Sequence, residues 1–122
     1  MNAITMLRAA VTLLGIAALG GLLMAVTRLS QEKNPPSWLA LLHGLLAAAG
    51  LTLLLFAALT TGIPPLACAG LALLLIAALV GVVLNQRYQW KGVLLPRGLV
   101  LGHAALAVIG FTLLLLTAWR GG

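Results

Sequence analysis

Apolar residues in this chain run in four long blocks rather than at helical or strand spacing, and the polar residues gather between the blocks. The blocks are residues 4–29, 38–60, 65–85 and 98–119. Each has the length, about 20 mostly apolar residues, that a helix needs to cross the hydrocarbon of a bilayer. A helix that is apolar all round is buried in protein or in lipid. With four such helices in 122 residues, too little chain remains to bury them, and lipid must do so. The pattern predicts an all-α integral membrane protein, a bundle of four transmembrane helices forming one domain over residues 1–122.

The first block could be taken for a cleaved signal peptide, since Arg8 precedes an apolar run with small residues. It continues past Met24 to Leu29, longer than an h-region, and is expected to stay as a permanent helix.

The sequence matches itself at an offset of 60 residues, and between Ala9 and Ala58 20 of 50 positions agree without a gap. In the first block of each half, Leu13-Leu14-x-Ile16-Ala17-Ala18-Leu19-x-Gly21 meets Leu73-Leu74-x-Ile76-Ala77-Ala78-Leu79-x-Gly81. In the second, His43-x-x-Leu46-Ala47-x-x-Gly50-x-Thr52 meets His103-x-x-Leu106-Ala107-x-x-Gly110-x-Thr112, and Pro36 matches Pro96. The repeats are expected to be residues 1–62 and 63–122. Each holds two helices, so both copies enter the membrane from the same side, as parallel hairpins related by a pseudo-two-fold axis along the membrane normal.

Charge is scarce, at 7% of residues, and lies at block ends. Arg28, Lys33, Arg87, Lys91 and Arg97 occupy the connections after the first and third blocks, against the single acid Glu32. Arg8 and Arg120 lie near the termini. The bias of cytoplasmic loops toward Lys and Arg places connections 30–37 and 86–97 in the cytoplasm and both termini outside, with a bacterial inner membrane as the expected setting. Trp38, Tyr88, Trp90 and Trp119 stand where interfacial aromatics belong. The net charge of +6 does not point to nucleic acid, because no soluble basic domain or stacking platform accompanies it. The lone Cys68 excludes an internal disulfide or a thiolate cluster and reads as small apolar packing.

The candidate chemistry rests on the only two histidines, His43 and His103, which occupy equivalent positions in the two halves. On the face at i, i+4, i+7 each has a strip of small residues below it, Ala47 and Gly50 in one copy, Ala107 and Gly110 in the other, and Gly44 and Gly102 adjoin the rings. Two imidazoles at one depth on symmetry-related helices can supply both axial ligands of a haem iron, with a flat macrocycle over the small residues. Its propionates would turn toward the cations of the basic connections, among them Arg28, Arg87 and Arg97. Six-coordination leaves no place for oxygen or substrate and points to one-electron transfer.

In its four helices and the histidines of the second and fourth, the chain resembles the b-type membrane cytochromes: the cytochrome b561 group and the haem-bearing anchor subunits of respiratory dehydrogenases. The resemblance implies a haem b and redox partners, including other membrane subunits or further copies of the chain. It departs from the cytochrome b561 pattern in lacking a second histidine pair, so one haem near the cytoplasmic face is the most it implies.

Other readings remain open. The small residues could serve helix packing alone and the histidines could bond neighbouring carbonyls, as in a cofactor-free accessory or scaffold subunit. Bacteriochlorophyll or copper could replace haem between the imidazoles, and a quinone head group could sit near Trp90 and Lys91. A small multidrug-type antiporter is disfavoured because its membrane glutamate has no counterpart. Direct catalysis is disfavoured because no nucleophile with a base and no carboxylate pair is present.

Overall fold

The computed structural model describes residues 2–120 and is helical throughout. α1 spans Ala3–Gln31, α2 Ser37–Thr60, α3 Pro65–Leu84 and α4 Arg97–Arg120. All four are long and apolar enough to cross a membrane. Their ends follow from local chemistry. The Asn2 side chain caps α1 by accepting from the Thr5 amide at 2.9 Å. At its other end Glu32 takes a left-handed conformation, φ 55°. Pro36 and Pro64 precede α2 and α3, and Pro65 sits at the first helical position of α3, where its missing N–H costs nothing. At the α2–α3 link the Gly62 amide reaches back to Ala57 O at 2.9 Å, and φ 76° at Gly62 suits a residue without Cβ.

The spans agree with the apolar blocks within about two residues except at the end of α3. There the helix continues as a π-helical turn over Asn85–Gln89, in chain expected to belong to the loop. Gly92, at φ 65°, then turns the chain back toward α4.

The two ends and the middle of the bundle are packed differently. Toward the termini, all four helices contribute to one core, with Leu7 and Leu14 of α1, Leu54 of α2, Leu71 and Leu74 of α3, and Leu114 of α4 among its members. Toward the basic connections a smaller cluster joins Leu84, Leu95 and Val100. α1 packs closely on α2, and α3 on α4; between these hairpins α1 and α4 meet along more of their length than α2 and α3.

Small residues set the closeness within each hairpin. A Cβ built on Gly50 would lie 2.7 Å from Leu14 Cγ and 3.3 Å from Ala10 O. One on Gly110 would lie 2.9 Å from Leu74 Cγ and 3.0 Å from Gly70 O, and one on Gly70 would lie 2.8 Å from Gly110 O. A leucine side chain can swing aside, but a helix carbonyl cannot, so Gly70 and Gly110 fix the approach of α3 and α4. Without a hydrophobic force between helices in lipid, such backbone proximity is what makes their packing favourable.

Threonine hydroxyls in the spans are satisfied locally. Thr52 bonds Ala48 O and Thr112 bonds Val108 O, both at 2.7 Å. Cys68 departs from its expected packing role: it is exposed, with only a weak contact from its sulfur to Ile63 O at 3.8 Å. It lies in the first turn of α3, on a side that no other helix covers.

Gly110→Leu is expected to destabilise the bundle by about 1–3 kcal/mol, the usual cost of overpacking a filled interior. Gly102→Leu, at a glycine with nothing within 4 Å, should be near neutral. Thermal unfolding of both variants in detergent checks the contrast.

Candidate functional site

His43 and His103 each lie six residues into their helices, α2 and α4, which begin at Ser37 and Arg97. At 1.5 Å per residue this is roughly 9 Å from the helix start, inside the span. Each ring points at its own hairpin partner. The Nδ1 of His43 lies 2.7 Å from Ala17 O, and the Nδ1 of His103 lies 2.7 Å from Ala77 O. A carbonyl oxygen can only accept, so Nδ1 is the protonated nitrogen in both rings, and Nε2 keeps its lone pair.

Glycines make room for the rings. A Cβ on Gly21 of α1 would stand 2.9 Å from the Cε1 of His43, and one on Gly81 of α3 would stand 3.1 Å from the Cε1 of His103. The contacts of one hairpin therefore recur in the other sixty residues along the chain. Neither Ala17 and Ala77 nor Gly21 and Gly81 figured among the expected site residues, although both pairs fall inside the stretch that matches at offset 60. That match was the available signal; helical-face arithmetic on α2 and α4 alone could not reach residues of α1 and α3.

The two hairpins bring the imidazoles to a common cleft. Their ring centroids are 6.1 Å apart and the ring planes meet at 77°. Small residues line much of the cleft, including Ala18, Ala47, Ala77, Ala78 and Ala107, with Leu14, Leu51, Leu74 and Phe111 at its deeper end. Its volume is about 70 Å³, well below the roughly 300–1,000 Å³ of ordinary ligand pockets. A larger hollow of about 210 Å³ lies at the terminal end, between Ala3, Ile4, Leu7, Ile63, Pro64 and Thr117. It holds no titratable group, and the Thr117 hydroxyl is already bonded to Leu113 O at 2.8 Å.

The remaining small residues expected at the site divide into three groups. Ala47 and Ala107 join the histidines at the cleft. Gly50 and Gly110 lie on the same helical stripes but are covered by Leu14 and Leu74, so they serve close packing within each hairpin and offer no open strip beneath the rings. Gly44 and Gly102 are exposed, with nothing within 4 Å of a Cβ placed there.

The three arginines lie at the basic end. Arg28 is buried, 4% exposed; its Nε donates to Leu95 O at 2.6 Å and its guanidinium reaches Glu32 at 3.4 Å. Arg97 pairs with the same Glu32 carboxylate. Arg87 is exposed in the π-helical turn. Among the described residues no three His, Cys, Asp or Glu side chains gather as a metal site, so the two imidazoles are the whole donor set.

Histidine ¹⁵N NMR on protein with neutral rings should report the Nδ1–H tautomer at both positions. An Nε2–H signal from either ring would contradict the carbonyl contacts. No protein family, no curated protein and no solved structure matches this chain.

Proposed function

We propose that this chain is a membrane electron-transfer protein in which His43 and His103 supply both axial ligands of one b-type haem, alone or as a subunit of a redox complex. One observation carries the reading: two imidazoles from different hairpins, each held through Nδ1 by a backbone carbonyl, face one cleft with centroids 6.1 Å apart. An Nδ1–H bonded to a carbonyl is also the usual support of a metal-ligating histidine, since it fixes the tautomer and the ring orientation.

When bound, the haem would supply a reversible one-electron couple. The protein would hold it: Ala17 and Ala77 orient the ligands, Gly21 and Gly81 give the rings space, and Ala47 and Ala107 stand beside them. Of the basic residues expected near propionates, Arg87 has no acid partner among the described residues, whereas Arg28 and Arg97 share Glu32. The reading includes two parallel hairpin repeats about a pseudo-two-fold axis, with the basic connections on the cytoplasmic side of a bacterial inner membrane. The recurrence of the histidine contacts at offset 60 supports the repeat, and the excess of cations at one end supports the orientation.

A second reading is favoured by the size of the cleft. With about 70 Å³ between the rings and Leu14, Leu74 and Phe111 filling the interior beside them, the bundle is closed as it stands. A porphyrin would need the hairpins to part. A cofactor-free accessory subunit needs no such movement and would use the histidines to tie each hairpin together.

A reduced-minus-oxidised visible spectrum separates the two. Haem ligation is expected to give b-type bands that disappear in both His43→Ala and His103→Ala. A featureless spectrum from folded, haem-supplemented protein would leave the accessory reading standing.

A further inference from the structure

Independently of any cofactor, we propose that the basic end of the bundle is a binding surface for the headgroups of anionic phospholipids. Five of the seven Lys and Arg residues lie in the connections at this end, with Glu32 as the only acid, leaving a surplus of four positive charges. Glu32 is engaged by Arg28 and Arg97 together. Lys33, Arg87 and Lys91 are exposed and have no carboxylate to pair with among the described residues.

The connections that carry these cations are fastened to each other. The Asn34 amide donates to Val93 O at 2.7 Å and accepts from the Leu95 amide at 2.9 Å. Gln89 donates to Pro35 O at 2.8 Å, and buried Arg28 donates to Leu95 O at 2.6 Å. The cations are thus presented on one pre-ordered platform, so less entropy is lost when phosphates engage them than on free loops.

Two exposed indoles, Trp38 at 67% and Trp90 at 72%, stand at the same end. Indoles settle at the headgroup level of a bilayer, which places the neighbouring Lys33 and Lys91 at the depth of lipid phosphates. Each cation near an anionic membrane surface adds an attraction of about 1 kcal/mol. The connections are too short to build a platform for nucleic acid, and the flanking helices hold this surface against the membrane.

The test is native mass spectrometry of the detergent-solubilised full chain offered phosphatidylglycerol and phosphatidylcholine in equal amounts. Phosphatidylglycerol should be retained preferentially. The preference should weaken by about fivefold for each cation removed toward the triple variant Lys33→Gln, Arg87→Gln, Lys91→Gln, whose helicity is checked by circular dichroism. Arg120→Gln, at the opposite end, should leave it unchanged. Equal retention of the two lipids by wild-type protein overturns the proposal, as does a preference that survives in the folded triple variant. Displacement of phosphatidylglycerol by millimolar inorganic phosphate would identify a site for a free anion and overturn it too. Should the triple variant not fold, the wild-type preference must still fall steeply with salt, and a salt-independent preference overturns the proposal.

Discussion

A polar side chain inside hydrocarbon must find its partner within the protein, because no water is present to supply one. The organisation of this bundle follows from how two imidazoles meet that demand. Each takes a carbonyl of the neighbouring helix, Ala17 O for His43 and Ala77 O for His103. A side chain can approach a helix carbonyl from outside only where the surrounding surface is low. Gly20 and Gly21 on α1 and Gly81 on α3 supply that surface. Deeper in the span the two helices of each hairpin are drawn together at Gly50 and at Gly110. The small residues of the chain and its two histidines are therefore parts of one arrangement, in which backbone proximity within a hairpin and polar satisfaction reinforce each other.

Between the hairpins the bonding has a different character. Polar contacts sit at the ends: Arg8 bonds Ala118 O at 3.0 Å and lies 5.6 Å from the Trp119 ring at the terminal end, while Arg28, Asn34, Gln89 and Arg97 bridge the connections at the other. In the middle, contact is by side-chain packing alone, including Phe111 of α4 against Gly15 of α1. Dispersion contacts of this kind are individually weak and adapt by rotamer changes, whereas the carbonyl bonds at the ends fix orientation. The hairpins are consequently tied to each other by hydrogen bonds at their tips and by side-chain contact at the depth of the histidines.

The sequence made the four spans legible because their lengths are dictated by bilayer thickness and composition alone. It made the histidines legible as a pair because a rare residue recurring at a fixed offset is hard to mistake in a background of leucine and alanine. It did not reveal the direction of their shared stripe. The spacing of His43, Ala47 and Gly50 says that these residues lie on one face of α2, but nothing in it says which neighbour that face meets. The structure turns the stripe toward α1, so Gly50 is occupied by Leu14 instead of remaining open beneath an imidazole. The π-helical turn at Asn85–Gln89 was equally hidden, because the polar residues that fill it read as loop, and only the long-range bond from Gln89 to Pro35 O shows why helix persists there. The pairing of Arg28 and Arg97 on one carboxylate depends on two connections meeting in space, which local pattern cannot encode.

Anchoring each imidazole within its own hairpin bears on how the site could change size. If His43 were bonded to a helix of the second hairpin, parting the hairpins would break that bond and release the ring. With both Nδ1 contacts internal, parting the hairpins would leave each ring bonded to its own hairpin, with its orientation and tautomer kept. Widening the cleft would then sacrifice mainly the mid-span packing of Leu14, Leu74 and Phe111, while the close contacts at Gly50 and Gly110 and the bonds at the tips could persist. A planar ligand of two imidazoles would replace the packing it displaces with its own. Within each hairpin, backbone proximity and the Nδ1 bonds therefore coincide, whereas at this depth the two hairpins meet through side chains alone.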